Sequence, residues 1–134
     1  MVDIMIIYKT YLAPSAIHGI GMFTAVDIPK HAVVWRFNEA FDRKFSDETK
    51  AALPTHIQQY IERHGFKDRS GWWIIDGGHD QFVNHSDNPN LIERSDAING
   101  ISMVLAAVRD ISANEELTEN YMEWDQMVKL KKIP

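Results

Sequence analysis

The chain has 134 residues, and 14 Lys and Arg against 19 Asp and Glu leave a formal charge of −5 with neutral histidines. With 45% hydrophobic and 25% charged residues it is globular in composition and long enough to bury a core unaided, which excludes disorder and collagen-like repeats. The absence of cysteine excludes disulfides, cysteine nucleophiles and thiolate zinc sites, so a metal would need His, Asp or Glu ligands. The acidic balance argues against direct nucleic-acid binding and suits Lys-rich or Arg-rich protein segments.

The opening apolar run, Ile4 to Tyr8, falls far short of the roughly 20 residues a membrane-spanning helix requires. The expectation is a protein without a membrane partner, intracellular and cytoplasmic, or nuclear and chromatin-associated in a eukaryote. β-type runs bounded by Gly, Pro, Asn or Asp predict strands at Ile4–Tyr8, Phe23–Val26, Val33–Phe37, Trp72–Ile75 and Ile101–Val108. Ser46 followed by Asp47 and Glu48 reads as a helix N-cap, with Pro54 ending that short helix. A second helix is expected from Thr55, with Ile57, Tyr60 and Ile61 on its apolar face and Gly65 as a left-handed cap. From Arg109 a strand, a polar turn and a further strand lead to Tyr121. The spacing of Trp124, Met127 and Val128 predicts a closing helix at about 121–131, with Lys129, Lys131 and Lys132 at its carbonyl end. No repeat or linker divides the chain, so residues 1–134 read as one mainly β domain (α+β) with a helical insert at about 41–66.

Three segments carry chemistry. The first, Ser15 to Phe23, contains Gly19 and Gly21, which permit a sharp turn and close backbone approach. Taken alone it reads as a glycine turn between strands. A dinucleotide-binding reading fails, because a third glycine and a helix at the turn are missing. In the second, Gln81 to Asn90, three Asn, a His and a Ser crowd beside a Pro. Such a loop either knits itself together or reads a polar ligand. The third, Arg109 to Tyr121, ends in a tyrosine that by itself signifies packing. No His pair brackets a glutamate at zinc-protease spacing and no Gly-x-Ser-x-Gly elbow occurs. His79, Asp80 and His85 are the one weak metal alternative, and no metal is expected.

In order and spacing these segments resemble the SET-domain family of S-adenosylmethionine-dependent protein-lysine methyltransferases. The likeness runs through His18-Gly19-Ile20-Gly21-Met22-Phe23, Asp27-Ile28 and Phe37-Asn38-Glu39. It is strongest at Phe82-Val83-Asn84-His85-Ser86 with Pro89-Asn90, and at Glu115-Glu116-Leu117-Thr118 with Tyr121. The resemblance implies small curved sheets with a threaded C-terminal segment that brings Asn84 and His85 beside Tyr121. It implies that His18, Gly19, Ile20 and Gly21 bind S-adenosylmethionine through backbone groups, that Asn84 holds its methionine amino end and that His85 meets the adenine through its main chain. By position Trp124 would stack on the adenine, Tyr121 would be the catalytic residue, and Phe37 and Glu119 would border the substrate channel.

The sequence departs from the family pattern at several places. Gln81 stands where arginine is common, Asp87 where cysteine is common, and Asn114 where a glycine usually starts the turn. Glu119 takes the place of the Phe or Tyr that tunes product state, Asn120 that of a frequent aspartate, and Phe37 that of a frequent channel tyrosine. The cysteine-rich zinc-binding flanks are absent, so one side of the peptide groove is expected from the 41–66 insert, from the tail or from a second copy of the chain in a homodimer. The expected partner is a Lys-containing protein or peptide. Two alternatives are a non-catalytic SET-like binding module and a methyltransferase acting on a small amine.

Overall fold

The structure is a computed structural model that describes residues 6–68, 70–95 and 103–121. Thr10–Pro14 (β1) and Ile20–Thr24 (β2) form an antiparallel hairpin in register from Thr10 opposite Thr24 to Pro14 opposite Ile20. Val33–Arg36 (β3) then pairs with a later strand, and Arg43–Phe45 (β4) leads into the helices Asp47–Ala51 (α1) and Thr55–His64 (α2). Phe66–Lys67 (β5), Trp73–Ile75 (β6) and Asn84–His85 (β7) follow, with a 3-10 turn at His79–Phe82. Leu91–Ser95 (β8), Met103–Ala107 (β9) and Thr118–Glu119 (β10) complete the described strands.

These strands make four small sheets: β1-β2, β3-β9-β8, β4-β6-β5 and the parallel pair β10-β7. Single bridges stitch the sheets together, with Ile6 opposite Trp35, Phe23 opposite Glu116 and Ile28 opposite Ile111. The core lies in two clusters. Met22, Ile28, Val34, Val83, Leu91, Ala107, Ile111 and Leu117 fill one, and Trp35, Phe37, Phe66, Ile74 and Leu105 fill the other. Among the described residues no helix is long and apolar enough to cross a membrane.

Ser46 caps α1 as its position predicts, its hydroxyl accepting the Thr49 N–H at 3.0 Å. Gln58 reaches back from α2 to the Leu53 carbonyl at 2.8 Å, so the two helices share a cap. The pair is pinned to the β4-β6-β5 sheet through Trp73, whose indole N–H donates to Asp47 at 2.8 Å. The Lys50 ammonium lies 4.7 Å from the Trp73 ring centre and binds Glu62 at 2.6 Å. The hydrogen bonds from Lys67 and Trp73 hold the Asp47 carboxyl below the usual carboxylate range. Both helices fall inside the expected insert.

Three local expectations need correction. Of the expected strand Ile4–Tyr8, the described residues 6–8 hold an isolated bridge at Ile6, and the strand of the hairpin is Thr10–Pro14. Of the predicted apolar face of α2, only Ile61 is buried, while Ile57 and Tyr60 face solvent, the Tyr60 ring lying against His64 and its hydroxyl donating to Gln81. Gly65 is extended (φ −98°), not left-handed. A Cβ there would lie 2.3 Å from the Ile74 carbonyl oxygen, so glycine is needed for the close approach to β6.

Candidate active site

The glycine loop between β1 and β2 is built around Ser15. Its hydroxyl accepts the backbone N–H groups of Ile17 (2.9 Å) and His18 (3.2 Å), and its own N–H donates to the Gly19 carbonyl at 2.8 Å. Gly19 is left-handed (φ +48°), in open space. Gly21 has an ordinary φ but no room: a Cβ would lie 2.3 Å from Glu116 Oε2. That carboxylate gathers the site, because the Ser15 hydroxyl donates to it at 2.8–2.9 Å and the Asn84 amide donates to it at 2.9 Å.

Asn84 sits on β7 and is buried. Besides Glu116, its amide nitrogen lies 3.0 Å from the His18 carbonyl and 3.1 Å from Ser15 Oγ. Carboxylate and carbonyl neighbours fix which end of the amide is nitrogen. The amide's donors are committed, and its oxygen accepts nothing from the described residues. What Asn84 offers a ligand is therefore an oriented acceptor.

The parallel pairing of β10 with β7 sets Thr118 opposite Asn84 and Glu119 opposite His85, with the Ser86 N–H donating to the Glu119 carbonyl at 2.8 Å. Asn90 secures this corner from the other side, exchanging bonds with Thr118 N (2.9 Å) and donating to the Glu116 carbonyl (2.8 Å). Two residues on, Tyr121 is half-buried. Its hydroxyl donates to the Val83 carbonyl and its backbone N–H to His85 Nδ1 at 3.2 Å. The His85 and Tyr121 rings meet edge-on, with centres 5.3 Å apart. Tyr121 also packs against the cluster containing Phe37, which is 1% exposed. Near Phe37, the Lys44 ammonium lies 4.5 Å above the half-buried Trp72 ring.

Of the residues singled out in the sequence, His18, Gly21, Asn84, His85 and Tyr121 thus belong to one hydrogen-bonded neighbourhood, with Gly19 in the same loop. Ile20 opens β2 and is 53% exposed, and Glu119 is buried on β10. Trp124 and most of the expected helix at 121–131 lie outside the described residues. Among the described residues no three His, Cys, Asp or Glu side chains are grouped to hold a metal. The sequence reading gave no role to Ser15 or Glu116, although they organise the loop. The available signal was a hydroxyl residue just before a glycine turn, the usual setting of a side chain that bonds its own backbone.

A family model described as SET domain matches residues 19–122, and the chain belongs to this family. Over 128 residues it is 28% identical to the Drosophila melanogaster histone-lysine N-methyltransferase trr, covering 94% of this chain and 5% of that protein. It is also 28% identical to an H3 lysine-4 specific histone-lysine N-methyltransferase of Emericella nidulans, over 84% of this chain and 10% of the relative. The chain thus spans a small fraction of both curated relatives. Among solved structures, a Plasmodium falciparum candidate histone methyltransferase superposes with a TM-score of 0.60 at 22% identity, over 87% of this chain and 95% of that one. A humanised mutant of the Chaetomium thermophilum Polycomb Repressive Complex 2 gives 0.64 at 21% identity, over 91% of this chain and 16% of that one. These neighbours bear out the expected mainly β SET-domain fold with its helical insert, here built of short, mostly antiparallel strands.

Proposed function

We propose that residues 1–134 form a single SET domain that transfers a methyl group from S-adenosylmethionine to the side-chain amine of a protein lysine. The observation that carries this reading is the junction of Tyr121 with His85 and Val83, beside a glycine loop tied to Asn84. The cofactor suits the residues present: Asn84 keeps an acceptor oxygen for the methionine ammonium, and Gly19 leaves its surroundings open. His18, Gly19, Ile20, Gly21, Asn84 and His85 would hold it, with Trp124 stacking on the adenine. When bound, the cofactor supplies an electrophilic methyl on a sulfonium.

The chain's own work is alignment and drying. A lysine amine has an ordinary pKa near ~10.4 and reacts only when neutral. Desolvation of the amine beside Phe37 and Tyr121 would disfavour its charged form, which promotes loss of the proton to water. Tyr121, fixed at both hydroxyl and backbone, orients the reacting groups without itself exchanging atoms. Glu119 borders the channel and bears on which amine enters. The relatives' names favour histone lysines as substrates and a chromatin compartment over the cytoplasm.

The test is incubation of the full chain with methyl-labelled S-adenosylmethionine and core histones, with calorimetry of the cofactor alone. Labelled lysine supports the reading. Binding without label favours the non-catalytic module, and label on free amines but not on protein favours the small-amine enzyme.

A further inference from the structure

Both ring nitrogens of His85 are committed. Nδ1 accepts the Tyr121 backbone N–H at 3.2 Å and so carries no proton, and Asp87 Oδ1 lies 3.0 Å from Nε2. In the neutral ring the proton must then sit on Nε2 and point at Asp87. The opposite tautomer would set the Nδ1 proton against the Tyr121 N–H and leave Asp87 facing a bare nitrogen. His85 is nine-tenths buried, and Asp87 approaches its Nε2 from the solvent side.

We infer that Asp87 is a positioning residue for methyl transfer: its carboxylate holds His85 as the Nε2–H tautomer, which fixes the backbone, and with it the ring, of Tyr121. The inference rests on the role given to Tyr121 above. Asp87 stands where the family commonly has cysteine, so this link belongs to this chain. The Asp87 side chain is 95% exposed, so its replacement leaves the core untouched, and its effect passes through His85.

Two variants of the full chain test this. Asp87→Asn keeps an acceptor for the Nε2 proton, and Asp87→Ala removes it. Proton–nitrogen correlation spectra of the His85 ring report the tautomer, hydrogen exchange of the Tyr121 amide reports its bond, and transfer from S-adenosylmethionine to core histones reports kcat and KM separately. In Asp87→Ala the His85 spectrum shifts toward mixed tautomers, Tyr121 exchanges faster, and kcat falls on the order of tenfold. KM for the cofactor stays within about twofold, and Asp87→Asn restores the tautomer and most of kcat. An unchanged tautomer in Asp87→Ala, a changed tautomer with unchanged kcat, or no rescue by Asp87→Asn would each overturn the inference. If the wild type transfers no methyl to any amine, the proposed function fails, while the spectra and exchange still decide whether Asp87 fixes His85.

Discussion

Replacing Gly21 and Gly19 by alanine separates two reasons for glycine within one loop. At Gly21 the new methyl would lie 2.3 Å from Glu116 Oε2, 2.8 Å from Cδ and 3.2 Å from Ser15 Cβ. Glu116 cannot retreat bodily, because its backbone is bridged to Phe23 and its carbonyl is bound by Asn90. The carboxylate must swing away and give up the donors of Ser15 and Asn84. Bonds to a charged acceptor are worth about 1.5–3 kcal/mol each, and water recovers part of that at a half-buried site, so the net cost is about 2–4 kcal/mol. At Gly19 there is space, and the φ of +48° alone costs about 1 kcal/mol. Urea unfolding at constant m-value measures both, and in melting temperature each kcal/mol is roughly 3–6 °C for a chain of this length. In a Glu116→Ala background the Gly21→Ala cost shrinks to about 1 kcal/mol, because only the 3.2 Å approach to Ser15 Cβ remains. A Gly19→Ala cost equal to or above that of Gly21→Ala, or no coupling to Glu116, would refute the reasoning.

Other expectations follow from the same geometry. Tyr121→Phe loses the bond to the Val83 carbonyl and changes unfolding free energy by only about 0.5–1.5 kcal/mol, yet slows transfer about a hundredfold or more, as paired chemical-denaturation and rate measurements would show. Asn114 is left-handed (φ +73°), as suits a place where glycine is usual, and its side chain accepts the Tyr11 hydroxyl at 2.9 Å. Asn114→Ala therefore costs about 1–2 kcal/mol in urea unfolding, whereas Asn114→Gly stays within about 0.5 kcal/mol. Burial holds the Asp42 carboxyl above its ordinary range against the opposing N–H groups of Gly77 and Asn38. The folded state keeps that proton to higher pH than the unfolded chain, so Asp42 adds stability at low pH that is lost as pH rises through its raised pKa. Asp42→Asn is consequently most destabilising near about pH 4 and less so near about pH 7, and a penalty growing with pH would contradict the assignment. Glu115, held below its ordinary range by the Arg109 guanidinium, acts in the opposite sense and loses its contribution as pH falls.

What the sequence made legible followed from local chemistry. Ser46 and Pro54 delimit α1 because caps and prolines act within a few residues, and the runs at Val33, Trp72 and Met103 pair as strands because β-branched and aromatic residues fill half-buried surfaces. Where partners are remote the signal faded. Thr10–Pro14 lacks a clean alternation and becomes a strand by pairing with β2, while Ile57 and Tyr60 carry helical spacing without a surface to cover. The function of Glu116 exists only once residues 101 and 32 positions away, Ser15 and Asn84, arrive beside it. Asn84, His85 and Tyr121 were legible as a set because their motifs resemble a family. The hydrogen bonds that orient them depend on β10 lying parallel to β7, which no local pattern encodes.

The central claim, that Tyr121 orients methyl transfer from S-adenosylmethionine to a protein lysine, is tested most directly by single-turnover transfer to core histones with enzyme in excess. Residue-level mass spectrometry identifies the product, and wild type is compared with Tyr121→Phe at matched cofactor occupancy. The account predicts methyl-lysine from the wild type and about a hundredfold slower formation from the variant. Methyl-lysine forming equally fast in both, or no methyl-lysine from a wild type saturated with cofactor, would contradict it.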